Sequence, residues 1–355
     1  MNKLYPFKFK AIYKEKIWGG NKLKKKFRRN IPSSKTGESW EITDNESGIS
    51  IVKNGKLSGR SINELIKIYG KKLLGNITTQ KNNFPLLIKF IDASQKLSVQ
   101  VHPSEKNAKK SNKKNAKTEM WYVLSAKNNA KIVYGLNSNI DNKKLKRVIK
   151  NGTLNSYLNE VEVQAGDSFF IPGGTIHAIK GGILLAEIQQ NSDTTYRLYD
   201  WDRHDKKGNS RTLHINKAFK TINDAGKKTR NHKFKKNIIY KNNNYQQKFL
   251  TISPYFTVEH FSLKKYFNFK PNYQRFYVII NLSGNLKISA DNKIYKFQPG
   301  ETILIPASIN NVKITGKGEF LRTYIPEDLQ EMKLYLHKLG INTDKIYEIP
   351  GVDFF

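Results

Sequence analysis

Gly166-Asp167-Ser168-Phe169-Phe170-Ile171-Pro172-Gly173-Gly174-Thr175-Ile176-His177 decides how this chain reads. A hydrophobic run ends in a Pro-Gly-Gly turn, and a histidine follows just past it, as if a strand were delivering a side chain to a barrel mouth. Upstream, Gln100-Val101-His102 offers two further donors. Residues two apart on a strand share a face, so Gln100 and His102 can converge while Val101 packs the other way. Glu119, heading the strand-like Met120-Trp121-Tyr122-Val123-Leu124, adds a carboxylate. One histidine in an apolar setting reads as a satisfied structural group. Gln100, His102, Glu119 and His177 together make a mixed nitrogen and oxygen set that suits one divalent ion such as zinc, with a position left for substrate.

The order Gln-x-His, a glutamate opening a strand, then Gly-x5-Pro-x-Gly-x2-His resembles the two sequence motifs of the cupin superfamily, whose metal sits inside a double-stranded β-helix. Many cupins read His-x-His where this chain has Gln100. Glu119 also comes later than in a compact cupin, which implies an inserted loop over the lysine-rich Lys106 to Lys117. In both respects the chain is similar to the type I mannose-6-phosphate isomerases in their short bacterial form. Ile17-Trp18-Gly19-Gly20, Gly37-Glu38-Ser39-Trp40-Glu41 and Pro85-Leu86-Leu87-Ile88-Lys89-Phe90-Ile91-Asp92-Ala93 match that family in order. The sharpest match is Ser192-Asp193-Thr194-Thr195-Tyr196-Arg197-Leu198-Tyr199-Asp200-Trp201-Asp202-Arg203. The resemblance spans about residue 5 to about residue 325.

The expected fold class is mainly β, with two cupin-like jelly-roll barrels and a small helical insertion. Gly166-x5-Pro172 recurs as Gly300-x5-Pro306 after the strand-rich Phe276 to Ile288, which marks the second barrel. There Asn311 takes the place of His177 and Tyr277 that of Glu119, so this barrel is expected to be metal-free support. The expected partition is a catalytic domain at 1–225, a lysine-rich linker at 226–241, the second barrel at 242–325 and a helical tail at 326–355. Ser61 with Glu64 three residues on predicts a helix start. Further helix is expected near Asp141 to Leu158, followed by a strand region over Val161 to Ile171. In the tail, Leu329, Met332, Leu336 and Leu339 predict an amphipathic helix ending near Gly340 and packed on the second barrel.

With 355 residues the chain can bury a substantial core. It has no cysteine, which excludes disulfides and thiolate ligands. No apolar stretch is long enough to span a bilayer and the N-terminus lacks the run of a signal peptide, so a cytoplasmic protein without a membrane partner is expected. The net charge of +34 raises the question of nucleic acid. Lysine is scattered among asparagines in loops such as Lys206-Lys207 and Lys227 to Lys236, with no recognition motif, so no nucleic-acid partner is expected.

The family resemblance implies proton transfer between C1 and C2 of an open-chain sugar phosphate, mannose 6-phosphate to fructose 6-phosphate, through a cis-enediol. One zinc per chain is expected over iron, because the isomerisation needs no redox change. The resemblance places Arg197 in the catalytic pocket, where its planar fork can hold paired oxygens; the competing role is an ion pair with Asp193, Asp200 or Asp202. Lys89 and Lys117 lie in family motifs beside the ligands, where either can contact phosphate or shuttle a proton. The residues leave the base unassigned. The expected assembly is a monomer or weak homodimer. Alternatives are a cupin isomerase for glucose 6-phosphate, a metal-dependent oxygenase and a non-catalytic sugar-binding cupin.

Overall fold

The computed structural model describes residues 3–77, 83–110, 116–204, 207–222 and 238–355. The chain is mainly β, as expected, and its contacts divide it into two units, one of residues 13–40 and 87–233, the other of 1–12, 41–86 and 234–355.

The first unit holds a six-stranded and a five-stranded sheet. The six-stranded sheet runs, in spatial order, Ile12–Gly20, Thr36–Ile42, Leu86–Ala93, Ile183–Gln190, Glu119–Ala126 and Ser168–Ile171. The five-stranded sheet runs Tyr196–Tyr199, Val99–Val101, His177–Ile179, Lys131–Leu136 and Leu158–Glu162. Apolar residues of both sheets, among them Trp121, Val123, Leu185, Ile132 and Ile179, form one inner core. On the outer face Val99 and Val101 pack with Leu145, Val148 and Ala218, from the helices Asn142–Lys150 and Ile215–Thr221. The period of two therefore sends Gln100, between the valines, to the inside. The expected excursion near Asp141 to Leu158 is an α-helix capped by Asp141, whose carboxylate accepts from the Lys144 N–H, followed by a 3-10 turn at Leu154–Tyr157. Val161 to Ile171 is two strands parted by a turn, in which Gly166 has φ +93°.

The second unit repeats the plan with a six-stranded and a four-stranded sheet around Phe261, Ile279, Phe297 and Phe320. Phe7 exchanges two backbone hydrogen bonds with Leu304, at 2.8 and 2.9 Å. The helix Ile62–Tyr69, started by the Ser61 and Glu64 capping box, also belongs here, and Gly75 bridges to Arg275. These pairings draw 1–12 and 41–86 to this unit, so the chain passes between units more often than a single boundary near 225 would require. Of the linker expected at 226–241, residues 226–237 lie outside the described residues, whereas Ile238–Lys241 is a strand paired with Tyr245–Ile252. The tail helix Leu329–Lys338 buries Met332 and Leu336 in a cluster with Phe249, Ile252 and Tyr324.

Among the described residues no helix is long and apolar enough to cross a membrane.

Candidate metal centre

Strand register assembles the site. In the five-stranded sheet Gln100 is paired with His177 on one side and with Arg197 on the other. Directly opposed residues share a face, so these three side chains form one row on the inner surface. Glu119 comes from the other sheet, where it is opposite Ile171 and Gln189. His102, one residue beyond its strand, completes the group. The sequence-predicted quartet is thus brought together.

Its atoms are spaced as ligands are. Gln100 Nε2 lies 3.4 Å from His102 Nε2 and 3.3 Å from His177 Nε2. Glu119 Oε2 is 3.4 Å from His102 Nε2, and its Oε1 is 3.3 Å from His177 Nε2. Ligand atoms around one tetrahedral zinc, at metal distances of about 2.0–2.1 Å, stand about 3.3 Å from one another. The Gln100 amide would present Oε1 to the ion, the flip that a metal selects. His102 Nδ1 is held by the Thr194 carbonyl at 2.8 Å and His177 Nδ1 by the Thr175 carbonyl at 2.9 Å. Both rings thereby turn Nε2 inward in a fixed tautomer. Glu119 is fully buried, and its Oε1 has no hydrogen-bond donor. A buried carboxylate oxygen left in this way is costly unless a cation completes it. Burial, aided by the Lys117 charge, holds the His102 pKa well below its ordinary value, and burial lowers that of His177 to about 4. Neutral imidazoles are what a metal requires. The residues fit a divalent ion, and His102, Glu119 and His177 are the one such cluster among the described residues.

Two lysines flank the cluster. Lys117 Nζ is 2.9 Å from His102 Nε2 and 2.8 Å from Glu119 Oε2. Lys89 sits behind it, buried and 2.9 Å from Glu187 Oε1. Burial opposes the Lys89 charge, but the carboxylates of Glu187 and Glu38 outweigh it and raise the pKa above that of an ordinary lysine. Glu187 is also within 3.8 Å of Lys117 Nζ and accepts from the Trp121 indole at 3.0 Å. Burial raises its pKa, and the charge of Glu119 adds to the effect. Sequence reasoning missed Glu187. Its signal was a lone carboxylate in the apolar run Ile183-Leu184-Leu185-Ala186-Glu187-Ile188, since a charge on a buried strand needs a partner or a task.

Arg197 donates from Nη1 to the Thr212 carbonyl at 2.7 Å, while its buried Nε–H has no acceptor. Asp200, one of the ion-pair partners weighed for it, is instead held by Arg203 at 2.9 Å and by Arg211 Nε at 2.8 Å.

The second barrel keeps the frame of this site with other contents. Tyr277 pairs with Ile305 as Glu119 pairs with Ile171. Two residues on, Arg322 faces Ile279 as Glu187 faces Trp121. Arg322 is buried and bonds Glu259 at 2.5 Å, so the Lys89 to Glu187 pair recurs with its polarity reversed. Asn311 is exposed, just before the strand Val312–Thr315.

Residues 6–133 match the family described as phosphomannose isomerase type I, catalytic domain, and residues 245–325 the mannose-6-phosphate isomerase cupin domain. Mannose-6-phosphate isomerase ManA of Bacillus subtilis is 36% identical over 324 residues, covering 90% of this chain and 99% of the relative. Mannose-6-phosphate isomerase of Streptococcus mutans is 36% identical over 314 residues, covering 88% of this chain and 96% of the relative. The crystal structure of the Bacillus subtilis mannose 6-phosphate isomerase is similar at a TM-score of 0.81 and 30% identity, over 90% of this chain and 99% of that one. A mutant of phosphomannose isomerase from Salmonella typhimurium, 16% identical with a TM-score of 0.71 over 90% of this chain and 100% of that one, shares the fold.

Proposed function

Because this chain belongs to the type I phosphomannose isomerases, we propose that it interconverts mannose 6-phosphate and fructose 6-phosphate with one zinc ion held by Gln100, His102, Glu119 and His177. The observation that carries this reading is the convergence of three buried ligand atoms within 4.8 Å of one another beside the Lys117 ammonium. Bound there, the ion would polarise the carbonyl and hydroxyl oxygens of the open-chain sugar and stabilise the negative charge that grows on an enediolate.

The chain's own groups do the rest. Lys117 Nζ, within hydrogen-bond reach of two ligands, donates to the sugar oxygens at the reacting carbons. Arg197, in the same row as Gln100 and His177, holds paired substrate oxygens in its planar fork. Glu187 is a buried carboxylate outside the ligand set within 3.8 Å of Lys117 Nζ, and its raised pKa fits it to carry the proton between C1 and C2. Lys89 fixes the Glu187 carboxylate by their 2.9 Å contact.

A coupled assay comparing mannose 6-phosphate with glucose 6-phosphate tests the substrate, and turnover of the first alone is expected. Comparable kcat/KM for glucose 6-phosphate would assign the site to another aldose phosphate. We also propose a cytoplasmic monomer or weak homodimer that takes neither nucleic acid nor membrane as partner. A sugar phosphate is too charged to leave the cell interior unaided, which supports the compartment, and the lysines are dispersed through loops rather than gathered on a groove-reading element.

A further inference from the structure

The strands that carry the metal ligands have another end. On the strand His177–Ile179 the ligand sits at the start, and four residues on, past the strand end, Gly181 lines a cavity of about 470 Å³. On the strand Glu119–Ala126 the carboxylate of the cluster likewise sits at the start and Lys127 follows the end, about 26 Å on at about 3.3 Å per residue. Lys96, Lys127, Trp201 and Arg203 line the same cavity, and among the described residues no carboxylate does. Lys180 also approaches the indole, at 5.6 Å from the ring centroid, and with Arg203 paired to Asp200 the lining's remaining cations are Lys96 and Lys127, whose like charges are not gathered without cost.

The indole is held in place. Trp201 donates from Nε1 to the Leu97 carbonyl at 2.6 Å, and Lys96 lies over its ring at 4.6 Å from the centroid. Trp201 and Asp202 both adopt left-handed backbone conformations, with φ of +60° and +51°. Bulky residues seldom do so, and such strain is kept where a side chain must be aimed at a particular spot. The guanidinium of Arg203 bonds Asp200 at 2.9 Å while its buried Nε–H has no acceptor. The close packing of Gly181 on the backbone of Ser94 and Gln95 shapes the wall, as a Cβ there would stand 2.8 Å from the Ser94 carbonyl.

We propose that this cavity is a second ligand site, separate from the catalytic centre, that takes a small organic phosphate. The phosphoryl group draws Lys96 off the Trp201 ring and sits between it and Lys127, beside the Arg203 to Asp200 pair, and the organic part takes the ring face that Lys96 leaves. The volume fits a metabolite of that size. Cations alone would hold any anion; the indole selects one with a flat or apolar body.

The zinc-loaded protein is titrated with adenosine 5′-monophosphate, ribose 5-phosphate and inorganic phosphate, following tryptophan emission and heat of binding. At least one organic phosphate is expected to bind at least tenfold tighter than inorganic phosphate and to change the emission. Lys96→Ala with Lys127→Ala should weaken that binding at least tenfold and leave kcat/KM for mannose 6-phosphate without ligand unchanged. Trp201→Phe should abolish the emission change and keep the phosphate contact. Binding must persist in Arg197→Ala. A stronger hold on the nucleotide than on ribose 5-phosphate supports the site and says that a base stacks on the indole; equal holds support it and say that the sugar does. Absence of binding, equal affinity for inorganic phosphate, indifference to the two lysines, or loss of binding in Arg197→Ala would each overturn the proposal.

Discussion

Arg197 is the residue whose surroundings most sharply separate a structural from a chemical role. Its Nε–H is buried without an acceptor, and Asp200, one of three nearby carboxylates that could pair with it, is taken by Arg203 and Arg211. If the guanidinium acts on the transition state, Arg197→Ala lowers kcat by about a hundredfold or more while metal content and Tm stay near wild type. Arg197→Lys recovers part of the loss, because an ammonium keeps the charge without the fork. Unchanged kcat with a lower Tm would reduce Arg197 to a packing role. Asp200 gives the complementary test. Burial opposes its charge, but Arg211 and Arg203 prevail and hold its pKa below the usual aspartate value. Its contribution to stability is therefore present above about pH 4, the unfolded value, and is lost as pH falls through the lower folded value. The difference in urea midpoint between wild type and Asp200→Asn should be largest near neutral pH and shrink below about pH 4; a difference that persists at low pH would show that the carboxylate charge is not what stabilises. Gln100, His102, Glu119, His177 and both lysines were legible as a candidate site because each belongs to a spaced motif. Glu187 was not, since its one local signal, a lone carboxylate in an apolar run, does not say which side chains it meets.

At the scale of elements, alternation along the strands does most of the work. Val99 and Val101 bury one face and Gln100 serves the other, so a shift by one residue would send Gln100 into the core and a valine to the site. The second barrel keeps the register of Glu119 and Ile171 in Tyr277 and Ile305, yet fills its interior with the Arg322 to Glu259 pair. Tyr335 of the tail helix accepts from Arg322 at 3.3 Å and from Gln247 at 3.0 Å, which ties the tail to that pair. Arg322→Ala leaves Glu259 buried without its cation and should cost about 3–5 kcal/mol, whereas replacing both partners by apolar residues of similar volume should cost far less. Urea unfolding of the single and double variants measures this. Equal losses would mean that packing, not charge pairing, sets the stability there. The repeat Gly-x5-Pro disclosed this barrel in the sequence, but the inverted pair was hidden, because its partners lie 63 positions apart and only strand pairing joins them.

For the whole molecule, two barrels, of which one holds the His102, Glu119 and His177 cluster, follow from the repeat and its unequal contents. The assignment of 1–12 and 41–86 to the second unit was not legible, since the pairing of Phe7 with Leu304 leaves no local pattern. The net charge of +34 says little about fold, although a positive field favours the capture of an anionic sugar phosphate. On the proposed function, one divalent ion bound by Gln100, His102, Glu119 and His177 makes this chain an isomerase. Elemental analysis of purified wild type and His177→Ala, with mannose 6-phosphate turnover measured on the same samples, tests it most directly. About one zinc per chain and activity are expected in wild type, with both lost in a folded His177→Ala. Undiminished stoichiometric metal in His177→Ala, or full turnover by wild type stripped of metal, would contradict it.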